Sequence, residues 1–358
     1  MKNISPDIFF TFYIIGIFVV SLVLYRLFIF FSHSFGVREY QKLEIKRWNP
    51  NYKPSVGGFV FYIIYLFTMI FSTIVFGISS DEKIKVIGLW GTPTIAFFMG
   101  FADDTFNTQP LVKFISQVSC ALVLILSGIQ IHLFENDLLN LFLTIFWTVG
   151  MMNSINMLDN MDGISASIGL YIIWFVLIVL YNLNVNIFSI QFLILSGISI
   201  SLLAFLFFNF YPSKIFMGDT GSQFLGLILA YAGIEFIWNI QTPINVSVHT
   251  VLYHFLIIAL VFIIPLSDTT TVTINRILAG SSPMVGGKDH TTHFLCKRGL
   301  SERMVFYLFA IISFVSLFLA YQLIFNYSNI IFYISILIAV IFFLSLYLNT
   351  KLFWSEKK

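Results

Sequence analysis

Long apolar segments recur along almost the whole of this sequence of 358 residues. A helix that crosses the hydrocarbon core of a bilayer needs about 20 predominantly apolar residues. Eleven segments approach this requirement, and we predict that each is a membrane-spanning helix: 8–31, 58–78, 84–101, 112–131, 138–153, 164–182, 188–208, 222–238, 250–270, 304–325 and 330–348. The predicted fold is an all-α polytopic membrane protein, with a single domain over residues 1–358.

The charge content excludes a water-soluble globule of this size. Charged residues make up only 10% of the chain, whereas soluble domains carry about 25%. So few charged side chains cannot cover a soluble surface, and lipid must cover most of it, in agreement with the mean hydropathy of +0.92. The first segment is too long for the apolar core of a signal peptide and has no small-residue cleavage site, so we predict that it is retained.

Lys and Arg residues lie mainly on one side of the predicted helices. Of the 19 such residues, 16 fall on one side, and only Lys2, Lys83 and Lys85 fall on the other. Because cytoplasmic loops carry the excess of Lys and Arg, we predict an external N-terminus and a cytoplasmic C-terminus. Seven aspartates also fall at the predicted cytoplasmic helix ends or loops: Asp103, Asp104, Asp159, Asp162, Asp219, Asp268 and Asp289.

Two adjacent aspartates, Asp103 and Asp104, lie at the end of the third predicted helix. Adjacent carboxylates repel each other, so both stay ionised only when a cation is nearby. Hard cations such as Mg²⁺ take oxygen ligands and pair with phosphates. A solvated loop is the alternative interpretation, but ionisable groups at membrane level favour a functional role.

A second polar segment, 153–163, separates the fifth and sixth predicted helices, and seven of its eleven residues are small or polar. We predict that helical backbone is hard to sustain through it, and irregular backbone near a membrane must line a cavity or reach water. Asp159 and Asp162 are three residues apart, so on a helical turn they would face the same way. The alternative is an ordinary turn rich in Asn, Asp and Gly.

A glycine-containing segment, 209–222, leads into the eighth predicted helix. Gly218 and Gly221 let the backbone approach a ligand closely, and amides at the start of the following helix favour an anion such as a diphosphate. Asp219 would then hold a metal ion against that anion. A helix cap is the alternative, and one residue can serve both purposes.

The polar loop 271–303 contains two histidines, His290 and His293, followed by Cys296. A zinc site is one interpretation, but a fourth nitrogen or sulfur ligand is not evident in the sequence nearby. Phosphate binding agrees better with the surrounding cations Lys288, Lys297 and Arg298. A further segment, 53–58, contains Lys53 and two glycines, and taken alone it indicates only a turn.

Together, these motifs resemble the polyprenyl-phosphate N-acetylhexosamine-1-phosphate transferase family, which includes the phospho-MurNAc-pentapeptide translocase. The resemblance covers a core at about 53–299, and the matching residues keep the family's order and spacing: Asp103, Asp104, Lys113, Gln117, Asn156, Asp159, Asp162, Gly163, Asn209, Pro212, Phe216, Met217, Gly218, Asp219, Gly221 and Ser222. Thr292 departs from the pattern, because the sugar-transferring branch has a histidine there. The translocase's three consecutive histidines are absent too, which argues against a muramyl-pentapeptide substrate.

The resemblance implies an enzyme that transfers a sugar-1-phosphate from a UDP-N-acetylhexosamine to polyprenyl (undecaprenyl) phosphate. The products would be polyprenyl-diphospho-sugar and UMP, in the first membrane step of cell-surface glycan synthesis. The implied cofactor is Mg²⁺ or Mn²⁺. The implied partners are the lipid phosphate, the UDP-sugar, membrane lipids and a second copy of the chain in a homodimer. The implied location is the inner membrane of a bacterial cell, with the site on its cytoplasmic face.

The resemblance also implies a role for each motif residue. The catalytic residues would be Asp103, Asp104, Asp159, Asp162, His290 and His293. The substrate-binding residues would be Lys53, Lys113, Asn156, Asn209, Phe216 and Arg298. Asp219 would be the first metal ligand, with Asp159 or Asn156 helping. The histidines would bind phosphate, so we expect Thr292→His to be tolerated.

A membrane transporter is the alternative function. Transporters place coupling charges near the bilayer midplane, often on broken helices that belong to internal repeats. The predicted helices here are nearly free of charge and no repeat is evident in the sequence, which favours the transferase.

Overall fold

A computed structural model describes residues 6–31, 53–241, 250–282, 287 and 289–355. These residues form thirteen α-helices: α1 Pro6–Phe31, α2 Gly57–Phe76, α3 Lys83–Phe106, α4 Pro110–Leu126, α5 Asp137–Leu158, α6 Ile164–Asn182, α7 Ile190–Asn209, α8 Gly218–Gly233, α9 Thr250–Val261, α10 Ile263–Leu278, α11 Thr291–Lys297, α12 Glu302–Phe325 and α13 Asn329–Ser355. A 3₁₀ turn precedes α3 at Ser80–Glu82, and a π-helical turn, Ile234–Trp238, continues α8.

Nine helices among the described residues are long and apolar enough to cross a membrane, or ten if α9 and α10 form one span. The shorter apolar helix α4 has 17 residues. The prediction of an all-α polytopic membrane protein is therefore confirmed. The total of eleven spans and the sides of the two termini remain predictions.

The ninth predicted span, 250–270, is not one straight helix. The chain turns by 90° at Phe262, between α9 and α10. Pro265 follows in the first turn of α10, where a missing backbone N–H costs nothing. Hydropathy gave no sign of the turn, because apolar composition does not reveal the direction of a helix.

Helix α8 lies at the centre of the bundle. In the most apolar stretch of Gly218–Trp238, which includes α8, 89% of the residues are buried, whereas 17% are buried in the corresponding stretches of α1 and of α13. It packs against α2, α3, α5 and α6. Small residues allow this packing. A Cβ on Gly100 of α3 would lie 2.6 Å from the Cα of Thr220, and a Cβ on Gly58 of α2 would lie 2.6 Å from the carbonyl carbon of Thr220. Backbone-to-backbone approach of this kind is typical of membrane helices.

Buried amides also join α8 to its neighbours. Gln117 on α4 donates at 3.1 Å to Gln223 on α8 and exchanges hydrogen bonds with Asn153 on α5. In an apolar surrounding such groups have no water to bond, so their pairing fixes the relative positions of the three helices.

The contact between Gly100 and α8 yields a stability test. Gly100→Ala should lower the free energy of unfolding by about 1–3 kcal/mol, the usual range for overpacking. The control is Gly91→Ala on the same helix, where the nearest atom to the added Cβ is 3.9 Å away. Thermal unfolding in detergent should separate the two variants. Equal midpoints would show that α3 and α8 are not in close contact.

Candidate active site

A lysine lies between two of the predicted carboxylates. Lys113, near the start of α4, forms an ion pair with Asp103 on α3 and another, at 3.4 Å, with Asp219 on α8. Thr108 donates its backbone N–H at 2.9 Å and its hydroxyl at 2.7 Å to Asp103. The side chain of Asp103 is 3% exposed and that of Asp219 is 34% exposed. Asp219 is therefore the carboxylate of this pair that a ligand can reach.

Asn156 brings α5 to the same place. Its Nδ2 donates to Oδ1 of Asp219 at 2.7 Å and to the hydroxyl of Ser222 at 2.9 Å. The prediction that the helix stops at residue 153 is wrong, because α5 continues to Leu158 and only 159–163 form turns. Asn156 thus lies on a regular helix. The side-chain amides of this part of α5 find their hydrogen-bond partners on α4 and α8.

Asp104 caps α8 from a different helix. Its Oδ1 accepts the backbone N–H of Asp219 at 3.0 Å, and its Oδ2 accepts the N–H of Thr220 at 2.9 Å and the hydroxyl of Thr220 at 2.6 Å. Gly218 has a φ of +75°, and a Cβ there would lie 2.7 Å from Oδ2 of Asp104. The prediction that these amides bind a diphosphate is therefore corrected, since a protein carboxylate occupies them, and Asp104 orients Asp219.

A second ion pair joins Lys53 to Asp162 at 3.3 Å, and both side chains are 9% exposed. Ser213 donates its N–H to Asp162 at 3.0 Å and accepts from the ammonium group of Lys53 at 2.7 Å. The same ammonium group lies 5.1 Å from the ring centroid of Phe216. Three predicted site residues, Lys53, Asp162 and Phe216, are thus gathered with Ser213 into one cluster, the Lys53 cluster.

The segment 53–58 is more than the turn that its sequence indicates. The N–H of Phe216 donates to the carbonyl of Pro54 at 2.9 Å, and the N–H of Gly57 donates to the carbonyl of Phe216 at 3.1 Å. This backbone pairing places Lys53 over Phe216. The sequence signal was weak because the pairing joins residues far apart in the chain.

The two aspartates of the 159–163 turns contact different groups. Asp159 accepts the hydroxyl of Ser165, at the start of α6, at 2.6 Å, whereas Asp162 belongs to the Lys53 cluster. The expectation that they act from one face of a helical turn is therefore wrong, because residues 159–163 are not helical.

Asn209, predicted to contact the nucleotide, is 3% exposed and is bonded within the protein. Its Oδ1 accepts the N–H of Gly163 at 2.9 Å, and its Nδ2 donates to the carbonyl of Ile215 at 2.8 Å. Asn209 thus holds together two segments that carry site residues, and its contact with the substrate remains a prediction.

A buried carboxylate that no sequence motif covered, Asp268 on α10, holds the start of the histidine helix α11. Its Oδ2 lies 2.9 Å from Nδ1 of His290. Its Oδ1 accepts the N–H of Thr291 at 2.8 Å and the hydroxyl of Thr291 at 2.6 Å. The available signal was a run of five polar residues, 267–271, at the end of the predicted ninth span.

An ion pair anchors Asp289, the residue that precedes His290. Arg276 donates from Nε and from one terminal nitrogen to the two oxygens of Asp289, each at 2.7 Å. Burial acts to raise the pKa of Asp289, but the hydrogen bonds and charge of Arg276 outweigh it, so that the pKa is lowered. Asp289 therefore stays ionised and fixes the approach to α11.

His293 differs electrostatically from His290. Its ring centroid lies 5.6 Å from that of His290. Burial, followed by the charge of His290, lowers the pKa of His293 to about 4. The enclosed position of His293 thus favours its uncharged form, and its phosphate binding remains a prediction.

The remaining predicted residues of this loop are placed unevenly. Arg298, at the end of α11, donates to the carbonyl of Asn349 on α13 at 3.4 Å. Lys288 lies outside the described residues. Within the part of the chain that the structure describes, no three His, Cys, Asp or Glu side chains are grouped as a metal site. The metal set of Asp219 with Asp159 or Asn156 remains a prediction.

The protein is thus a polytopic membrane protein, and the helix ends that meet around the N-terminus of α8 form a polar site rich in carboxylates. Residues 86–237 match the family model described as glycosyl transferase family 4. A probable undecaprenyl-phosphate N-acetylglucosaminyl 1-phosphate transferase of Bacillus subtilis (strain 168) is 30% identical over 274 residues, which cover 73% of this chain and 71% of the relative. The chain belongs to the polyprenyl-phosphate N-acetylhexosamine-1-phosphate transferase family, as predicted, and it is a membrane transferase.

Two other relatives match over shorter regions. A decaprenyl-phosphate N-acetylglucosaminephosphotransferase of Mycolicibacterium smegmatis (strain ATCC 700084 / mc(2)155) is 30% identical over 57% of this chain and 55% of its own length. A phospho-N-acetylmuramoyl-pentapeptide-transferase of Streptococcus uberis (strain ATCC BAA-854 / 0140J) is 30% identical over 51% of this chain and 58% of its own length. The chain thus spans little more than half the length of these two relatives.

The position of Thr292 reverses the expectation for Thr292→His. Thr292 is fully buried and donates to Oδ1 of Asn160 at 2.7 Å. A histidine would have to fit into this closed space, and it would lose that bond. We now expect Thr292→His to lower turnover at least 10-fold and to destabilise the protein by about 1–3 kcal/mol. Thr292→Ser, which keeps the hydroxyl, is the control. If Thr292→His matches the unmodified protein in assay and unfolding, the described packing around Thr292 is incorrect.

Proposed function

We propose that this protein transfers N-acetylhexosamine-1-phosphate from a UDP-sugar to polyprenyl phosphate and releases UMP. The observation that carries the proposal is the arrangement of Asp103, Lys113, Asn156 and Asp219, which come from four helices and meet at the start of α8. The names of the relatives describe the same type of transfer to a polyprenyl phosphate. An oxygen of the lipid phosphate attacks the sugar-linked phosphorus, the bond to the bridging oxygen breaks, and UMP leaves with that oxygen.

The charges of this cluster support a metal requirement. Asp103 and Asp219 are two carboxylates with only one cation, Lys113, between them. A diphosphate brought beside this cluster adds further negative charge, which one lysine cannot balance. We propose that Mg²⁺ or Mn²⁺ binds there, held by Asp219 with the side-chain oxygen of Asn156, because hard cations take oxygen ligands. The bound ion would neutralise charge on the diphosphate.

The protein groups around the ion have separate tasks in this proposal. Asp104 keeps Asp219 at the start of α8, and Lys113 keeps Asp103 ionised and orients Asp219. Asp159, which is bonded to Ser165, orders the 159–163 turns instead of binding the ion.

The Lys53 cluster is proposed as the nucleotide-binding part of the site. Phe216 offers an aromatic face for uracil, and Asp162 is a hydrogen-bond acceptor for a base N–H. The ammonium group of Lys53 lies beside both residues, so it is placed to meet a nucleotide phosphate. The backbone pairing of 53–58 with Phe216 preorganises these groups before any nucleotide binds.

We further propose that the site faces the cytoplasm from the inner membrane of a bacterial cell. The distribution of the 19 Lys and Arg residues supports this orientation. A transporter has no support in the comparisons, and the clustered charges lie at helix ends rather than at mid-span, where coupling sites are expected.

The fate of the β-phosphate tests the proposed reaction. Purified protein in detergent, given Mg²⁺, undecaprenyl phosphate and UDP-N-acetylglucosamine labelled in the β-phosphate, should transfer the label to the lipid and form one UMP per lipid. A panel of other UDP-sugars would identify the preferred donor. Release of labelled UDP, with an unlabelled glycolipid, would mean that the sugar alone moves and would overturn the proposal.

Asp219→Asn tests the metal site. We expect turnover to fall about 100-fold or more, the size of effect seen when one electrostatic group of an active site is removed. The control is Asp137→Asn at the exposed start of α5, which should leave turnover unchanged. In a titration with Mg²⁺, only Asp219→Asn should need a higher Mg²⁺ concentration to reach half of its maximal turnover. Normal turnover of this variant at limiting Mg²⁺ would exclude Asp219 as the ligand.

A further inference from the structure

Asp268 is the most enclosed carboxylate near the site, with 1% of its surface exposed. Burying a carboxylate is costly unless hydrogen bonds compensate its charge. Three donors approach it in the structure: Nδ1 of His290, the N–H of Thr291 and the hydroxyl of Thr291. All three belong to the start of α11, so the buried charge is committed to holding that helix and its first histidine.

The turn in the chain before α10 brings Asp268 to this place. Helix α10 runs at 90° to α9, so a straight continuation would carry Asp268 in another direction. Ser154 on α5 donates to the carbonyl of Pro265 at 2.7 Å and lies 2.6 Å from the hydroxyl of Thr269. These bonds attach α10 to α5, the helix that also presents Asn156 to Asp219.

The contact with Asp268 determines which ring nitrogen of His290 carries a proton. A carboxylate only accepts, so the nitrogen that faces it, Nδ1, must carry a proton. The other ring nitrogen, Nε2, is then the atom that can accept or release a proton at the substrate. A carboxylate behind an imidazole also stabilises the imidazolium form, so Nε2 can donate to a phosphate oxygen as part of a cation.

We propose that Asp268 is a positioning residue that fixes the Nδ1–H form of His290, so that Nε2 of His290 acts on the phosphates of the substrates. This inference rests on the proposed function for its consequence but not for its geometry. It also separates the two histidines: His290 carries the proton, and the neighbouring ring of His293 helps to orient it.

Asp268→Asn offers a sharp test, because the backbone N–H of Thr291 can only donate. The carbonyl oxygen of the new amide must therefore stay at Thr291, and its NH₂ group must face Nδ1 of His290. That arrangement removes the proton from Nδ1 and moves it to Nε2. Turnover should fall about 100-fold or more, as when an analogous carboxylate is changed to its amide, while the KM for the UDP-sugar should change little.

Nitrogen NMR of protein labelled with ¹⁵N-histidine observes the tautomer directly, without any assay of activity. The His290 signals are identified by their loss in His290→Ala. We expect Nδ1–H in the unmodified protein and Nε2–H in Asp268→Asn. A merely structural role of Asp268 would not exchange the two tautomers. Nε2–H in the unmodified protein would overturn the inference even if Asp268→Asn did not fold.

Two comparisons complete the test. Thr291→Val removes one donor to Asp268 but leaves His290 in contact, so it should cost less than 10-fold in turnover and keep the Nδ1–H form. In a His290→Ala background, Asp268→Asn should cause no further loss, because Asp268 acts through His290. An equal loss in both backgrounds would overturn the inference. Correct tautomers in a protein that transfers no labelled β-phosphate would instead refute the proposed reaction and leave the tautomer assignment standing.

Discussion

The carboxylate of Asp104 binds the N-terminus of α8 from the neighbouring helix α3, and the rest of the site depends on this contact. A helix begins with backbone N–H groups that lack partners within the helix, and a carboxylate satisfies them well. Here the capping group lies on another helix, so it also joins two helices. The residue whose N–H it accepts, Asp219, is the reachable carboxylate of the site. The orientation of Asp219 is therefore set by packing that includes Gly100 and Gly218.

Charge balance explains why the motif residues occur as pairs. Lys113 lies between two carboxylates, Lys53 faces Asp162, and Arg276 faces Asp289. Ion pairs of low exposure are weak contributors to stability, because desolvation offsets their attraction. Their value here is positional, because each pair fixes the place of a charged side chain near the candidate site. The site is thus held in shape by ion pairs between residues from different segments of the chain.

The bundle divides the site between two sources. Helices α3, α4, α5 and α8 supply the carboxylates, Lys113 and Asn156, and their close packing makes that half rigid. Helices α10 and α11 supply Asp268 and the histidines, and they reach the site because the chain turns at Phe262. The bond between Thr292 and Asn160 connects the two halves. This bond also gives a physical reason for the departure of Thr292 from the common histidine, since its side chain contacts protein rather than an open site.

The sequence by itself determined the class of fold and most of the candidate site residues. Apolar length is a local property, so membrane helices are legible without any contact, and motif residues such as Asp219 and Asn156 identify themselves by type and spacing. The tertiary structure alone decided what each of them contacts. Asp104 and Thr220 are 116 residues apart, and their bond follows from how α3 packs on α8. The same holds for the turn before α10, the partners of Asp159 and Asp162, and the contacts of Asp268. Hydrogen bonds between distant residues depend on the packing of whole helices, which no local pattern of side chains encodes.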